Sequence, residues 1–310
     1  MNGPMTLPEA QAFVEHRYGS RSGPLTFLGA GEWSRAYAFV LDGAERVIRF
    51  GNYPEDFAKD REMGTHSRKD LPIPPVIEIG DAPRGSFAIS ERATGEPLDD
   101  LDEAAMRSVL PALLRTLDAI RELPAETGDG YGLWQPGGAA PHLTWRAALL
   151  DCADENPRLP GWRAALEASS AGASSFDAGY QLLARLADRL PAGRHVIHGD
   201  LLNRNVLIRE GEITAVLDWG NALFGDSLYD AAWLIYWWPW YPRWASIDIT
   251  TELERHWANT VGLPPDHALR LFACQLHIAI TAQAYNAFTG RWDELERNAT
   301  RTAELLASFH

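Results

Sequence analysis

Three polar residues flank one short apolar hairpin: Asp200 in His198-Gly199-Asp200, Asn205 five positions later, and Asp218 in Leu217-Asp218-Trp219. Val206–Ile208 and Thr214–Leu217 are apolar runs, and Arg209-Glu210-Gly211-Glu212 between them has the composition of a tight turn. Two strands joined in this way let the three side chains converge at the open end of the hairpin. Phosphoryl transfer needs such a set: a carboxylate that orients a hydroxyl and accepts its proton, and oxygen ligands for Mg2+. On this reading Asp200 is the base, while Asn205 and Asp218 hold the metal. A second candidate is Gly29-Ala30-Gly31-Glu32-Trp33-Ser34, which lies between two strand-like runs. Backbone N–H groups and the Ser34 hydroxyl can reach phosphate oxygens there, because Gly29 and Gly31 let the chain come close.

The elements that must position these residues change character near residue 94. Before it, Leu25–Leu28, Arg35–Leu41, Arg46–Phe50, Val76–Ile79 and Phe87–Ser90 are short β-rich runs separated by Gly, Asp and Pro. They predict a small, mostly antiparallel sheet. Pro54–Lys69, with acidic residues early and no β-branched run, predicts one helix among them. After residue 100 the period is helical. Met106, Val109, Leu113, Leu117 and Ile120 form one apolar stripe, and Pro111 predicts a kink or two abutting helices. Phe176–Leu190, 265–287 and 291–307 predict further helices, with a Gly- and Pro-rich loop at Gly128–Leu143. The fold class is α+β: a β-rich lobe of residues 1–93 and a larger helical lobe of residues 94–310.

The chain has 310 residues, 28 Lys and Arg against 42 Asp and Glu, and a net charge of -14. Such a surface repels nucleic acid and anionic membranes and attracts cationic small molecules. No basic start followed by an apolar run opens the sequence, so a cytoplasmic protein without a signal peptide is expected. Two cysteines far apart form neither a disulfide framework nor a metal-ligand spacing. For a cationic acceptor, Asp226 and the faces of Trp237 and Trp240 are the candidates, since aromatic rings stack on sugar C–H faces and attract ammonium groups; the other reading of Asp226 is a buttress of the catalytic loop that never touches substrate. Asp230 starts the next helix, where a carboxylate complements the dipole.

His198-Gly199-Asp200-Leu201-Leu202-Asn203-Arg204-Asn205-Val206-Leu207, followed by Ala215-Val216-Leu217-Asp218-Trp219, resembles the catalytic segment of the aminoglycoside phosphotransferase family. Other pieces occur in the family's order: Phe27–Tyr37, Val47–Phe50, Lys59–Arg61, Leu71–Pro74, Ile89–Gly95, Thr144–Arg146, Phe224–Tyr229 and Trp237–Trp240. Within the family the combination looks most like the hygromycin B phosphotransferases. The resemblance implies a two-lobed, protein-kinase-like fold that transfers phosphate from ATP (or GTP), with Mg2+, to a hydroxyl of an aminoglycoside and so confers resistance. It further implies that Arg49 binds the α- and β-phosphates where most kinases carry a lysine. Asp60 or Glu62 would pair with that arginine, and the adenine edge would meet the Glu91 carbonyl and the Ala93 N–H. Kinases of other small alcohols (a macrolide, choline, homoserine or an amino sugar) and a nucleotide-binding pseudokinase are the alternatives.

Overall fold

The structure, a computed structural model, describes residues 5–125 and 128–309. Backbone packing divides the chain into two units, one running to Ala119 and resuming at Leu202–Ala222, the other comprising Ile120–Leu201 and the chain from Leu223. The single boundary expected after residue 93 is thus drawn elsewhere by packing, because the chain returns to the first unit at residue 202.

The first unit opens with α1 (Leu7–Tyr18), which the sequence reading left unassigned. Its start is a capping box: Thr6 donates its N–H to the Glu9 carboxylate at 2.8 Å, and Pro8 sits in the first turn, where a missing N–H costs nothing. Strands β1 (Thr26–Ala30), β2 (Ser34–Leu41) and β3 (Ala44–Gly51) follow, then α2 (Pro54–Gly64), β4 (Val76–Asp81) and β5 (Ser86–Glu91). The sheet is antiparallel throughout, in the order β1-β2-β3-β5-β4. Alternation along β3 decides which side chains face the core: Ile48 and Phe50 are fully buried against Val14 of α1 and Phe87. Arg49 consequently points to the opposite face, opposite Ala36 on β2 and Ala88 on β5.

Helix α2 is shorter than the expected Pro54–Lys69. It stops at Gly64, where Thr65, His66 and Ser67 form turns back onto Glu62, Met63 and Gly64 rather than another helical turn. Thr and Ser bond the local backbone in competition with the helix. After β6 (Glu96–Pro97) comes α3 (Glu103–Arg121), one continuous helix despite Pro111. Pro111 lies on the exposed face, where water can satisfy the carbonyl that loses its partner, while Met106, Val109 and Leu113 are fully buried.

The second unit carries β7 (Gly132–Leu133), α4 (Trp145–Leu150), α5 (Trp162–Ala168), α6 (Ser174–Leu186) and β8 (His195–Ile197). The chain then re-enters the first unit as a hairpin, β9 (Val206–Arg209) and β10 (Glu212–Val216), with Glu210 and Gly211 at positive φ in the turn. That hairpin extends to β6 through Glu96↔Ile208, and Val216 donates its N–H to the Pro72 carbonyl at 2.7 Å. Back in the second unit, β11 (Leu223–Gly225) pairs with both β7 and β8, and α7 (Tyr229–Trp237), α8 (Ile249–Asn259), α9 (His267–Thr289) and α10 (Trp292–Ser308) complete the chain. Gly179 of α6 admits α9 closely, since a Cβ there would meet Ile280 at 2.8 Å. No described helix is long and apolar enough to cross a membrane.

Candidate active site

The first unit gathers the residues expected at the nucleotide. Arg49 forms an ion pair with Asp60 of α2, and its second nitrogen lies 3.9 Å from Asp218. The choice between Asp60 and Glu62 therefore falls to Asp60. Successive helical positions turn by about 100°, so two residues apart cannot both face one strand. Asp60 also accepts the Trp219 N–H at 2.8 Å. Its carboxylate thus joins the strand that carries Arg49 to the turn that carries Asp218. Burial pushes the Asp60 carboxyl up, and Asp218 adds to that push, while Arg49 and the Trp219 N–H oppose it. Burial likewise acts against the Arg49 charge, but Asp60 and Asp218 outweigh it and hold the guanidinium above its ordinary value. The Arg49 guanidinium lies 5.1 Å from the Phe57 ring centroid, which shields one of its faces.

Asp218 has a left-handed backbone, φ 61° and ψ 71°, an uncommon conformation for a residue with a Cβ. Its carboxylate remains 49% exposed and open to a ligand. The preceding Leu217 N–H bonds the Asn205 carbonyl at 2.7 Å, which ties the two expected metal ligands together. Asn205 follows two further left-handed residues, Asn203 and Arg204, whose N–H groups are both held by the buried Asp99 carboxylate at 3.0 and 2.8 Å. No cluster of three His, Cys, Asp or Glu side chains suited to a metal occurs among the described residues. One carboxylate and one amide nevertheless fit Mg2+, which usually keeps few protein ligands and fills its octahedron with water and phosphate oxygens. At the glycine turn, a Cβ on Gly29 or Gly31 would meet nothing within 4 Å, so that face of the β1–β2 hairpin is open. The Gly31 N–H bonds the Ser34 carbonyl at 2.9 Å. Glu91 ends β5 with its N–H on the Pro75 carbonyl, and Ala93 lies beyond the sheet.

In the second unit, Asp200 follows a tightly held backbone. The N–H groups of His198 and Gly199 both donate to Asp230, at 2.9 and 2.8 Å, and the Asp200 N–H donates to His198 Nδ1 at 3.2 Å. Asp230, expected only to complement the α7 dipole, is thus the anchor of the segment before Asp200. The expectation that Asp226 meets the acceptor is corrected: it is 1% exposed, and its two oxygens take the Arg270 guanidinium at 2.8 and 2.6 Å and the Leu228 N–H at 2.9 Å. A carboxylate buried and paired in this way holds its loop to α9 and is shut off from a substrate in solvent.

Trp237 and Trp240 are half-buried in an aromatic cluster with Tyr236, their ring centroids 4.9 Å apart. Trp240 donates its indole N–H to Glu294 at 2.7 Å, carries the Arg297 guanidinium 4.7 Å from its ring, and lines a groove of about 490 Å³ with Asp293, Glu296 and Glu304. Trp238 is core, with its N–H on the Trp244 and Ile247 carbonyls. Both cysteines are free, and burial pushes their thiols up, so neither is activated as a nucleophile.

Sequence reasoning gave Lys59 and Asp99 no role and Asp230 only a dipole role, although these groups hold the loops that carry the ligands. Their signal was weak, since a charged residue reads as surface until its burial is known.

Residues 24–263 match the model of the phosphotransferase enzyme family, and the chain belongs to that family. It is 32% identical over 295 residues to hygromycin-B 4-O-kinase of Escherichia coli, which covers 94% of this chain and 82% of that enzyme. It matches the crystal structure of aminoglycoside phosphotransferase APH(4)-Ia with a TM-score of 0.86 and 30% identity, over 98% of this chain and 100% of the other. The ternary complex of a thermostable mutant of that enzyme with AMP-PNP and hygromycin B matches at 0.83 and 30%, over 97% and 98% of the two chains.

Proposed function

We propose that this protein transfers the γ-phosphoryl group of ATP to a hydroxyl of an aminoglycoside of the hygromycin B type, and so confers resistance to it. The observation that carries the reading is Asp60, whose carboxylate holds both Arg49 and the turn of Asp218 and so presets a cation and an acidic ligand for a nucleotide. The similarity to hygromycin-B 4-O-kinase supports the acceptor class, as does a net charge of -14, which favours a polycation.

In this mechanism Asp200 accepts the proton of the attacking hydroxyl as the acceptor oxygen bonds to the γ-phosphorus. The bond from that phosphorus to the β-phosphate oxygen breaks, and ADP leaves. Arg49 offsets charge on the α- and β-phosphates through its planar fork. Gly29, Gly31 and Ser34 cover the phosphates, and Glu91 and Ala93 meet the adenine through their backbone. Mg2+ held by Asn205 and Asp218 would neutralise charge on the phosphate oxygens. Trp237 and Trp240 supply aromatic surface for the acceptor. Residues 1–93 then carry most nucleotide contacts, and residues 94–310 carry the base, the metal ligands and the acceptor site.

The experiment is an ADP-release assay with ATP, Mg2+ and a panel of aminoglycosides, macrolides, choline and homoserine, with product masses determined. Phosphorylated hygromycin B, or a close aminocyclitol, is expected. Turnover confined to a macrolide, choline or homoserine would replace the acceptor class, and ATP binding without any turnover would favour the pseudokinase.

A further inference from the structure

Lys59 is 1% exposed, although lysine is among the residues least often buried. Its ammonium donates to the Gly220 carbonyl at 2.8 Å and to the Ala222 carbonyl at 3.1 Å. Those carbonyls belong to the single helical turn Trp219–Asn221 and its cap, immediately after Asp218. The next residue of α2, Asp60, takes the Trp219 N–H from the same turn. Asp56, one helical turn earlier, packs on Gly220, where an added Cβ would come 3.0 Å from the Asp56 Cγ. Residues 56, 59 and 60 share one helical face, and that face grips the turn at the Trp219 N–H, the Gly220 carbonyl and the Ala222 carbonyl.

A residue with a Cβ held at φ 61° is strained and persists only where its surroundings over-determine it. On one side of Asp218 the restraint is the Leu217 N–H on Asn205. On the other side it is the α2 face. We propose that Lys59 is a positioning residue of the phosphoryl-transfer site: its ammonium pins the turn that sets Asp218, so that one face of α2 places both Arg49 and the metal-binding aspartate. The inference rests on Asp218 binding the metal–nucleotide, as proposed above, and it assigns Lys59 no contact with either.

The test is nucleotide affinity of the full-length protein without acceptor, titrated with Mg2+ and also measured in EDTA. Lys59→Met keeps an unbranched side chain one atom shorter and removes the donors. It is expected to raise the half-saturating Mg2+ concentration about tenfold while changing affinity in EDTA less than twofold. Lys59→Arg, which can still donate to both carbonyls, should recover part of the loss. Amide exchange at Trp219 and Ala222 should quicken in Lys59→Met without nucleotide present. Equal losses with and without Mg2+ would make Lys59 merely structural and overturn the proposal, as would an unchanged Mg2+ requirement. If Lys59→Met does not fold, Gly220→Ala disturbs the same turn from the Asp56 side. A raised Mg2+ requirement there supports the proposal, and an unchanged one overturns it. Asp218→Asn separates the two readings. If its Mg2+ response matches wild type, Asp218 is not the metal ligand and both fall. If it loses the response while Lys59→Met keeps it, only the role of Lys59 falls.

Discussion

In the proposed mechanism Asp200 is the residue on which the chemistry turns. A positioned general base is worth about 10²–10⁴ in rate, so Asp200→Asn is expected to lower turnover by that factor. Because the reading gives phosphate and metal contacts to other residues, ATP affinity should change less than about twofold, measured by titration of the same variant. Near-wild-type turnover would remove Asp200 from the mechanism. Asp200, Asn205 and Asp218 could be singled out in the sequence because their spacing around a hairpin is a joint pattern. Asp226 stays open between two roles in the sequence for the opposite reason. As a single carboxylate beside an aromatic run it has no pattern, and only the buried Arg270, 44 residues away, gives it a role. Asp60 and Glu62 differed only in helical phase, which the sequence leaves open until the strand facing the helix is fixed.

At the scale of elements, α7 and α9 meet through the Tyr229 hydroxyl and His277 Nδ1, 2.8 Å apart. Burial lowers the His277 pKa to about 4, so the ring is neutral in the folded protein at pH 5. In the unfolded chain it titrates near 6.5 and is charged at that pH. Between pH 6.5 and 4 the unfolded state therefore binds more protons, and stability falls as the medium is acidified. The loss from this group should be about 2 kcal/mol on going from pH 7 to pH 5. Urea midpoints of wild type and His277→Gln at the two pH values check this, since the variant should lose less by that amount. An identical pH response in both would place the sensitivity elsewhere. The seven strands read from the sequence fall within a residue or two of those observed, because alternation and turn residues frame them, while the two- and three-residue strands β6, β7, β8 and β11 are too short to show a period. Helix ends were less so. Gly64-Thr65-His66-Ser67 ended α2 through competing local bonds, and exposure of Pro111 let α3 run through. The Thr6–Glu9 capping box was readable yet lay before the first motif.

For the whole molecule the governing quantity is charge. A net -14 attracts a polycationic acceptor across solvent, and such attraction is screened over about 8–10 Å near physiological ionic strength. Raising salt from 50 to 300 mM should therefore raise the acceptor KM several-fold and leave KM for ATP less affected. A salt-independent acceptor KM would favour a neutral alcohol as substrate. Trp237→Ala and Trp240→Ala belong to the same test, with thermal midpoints measured alongside, because both rings also pack in the aromatic cluster.

The clasp of α2 on the turn after Asp218 also sets a timetable. Lys59 and the Gly220 carbonyl are 161 residues apart in sequence. At about 5–20 residues per second, roughly 8–32 s of translation separate the lysine from its acceptor. Throughout that interval the ammonium has neither of these carbonyls to receive it, and Asp60 lacks the Trp219 N–H. The first unit can form its sheet early, but it cannot close around α2 until residue 222 has left the ribosome. A nascent chain stalled short of that point should stay open to protease near α2, and one released just beyond it should become protected.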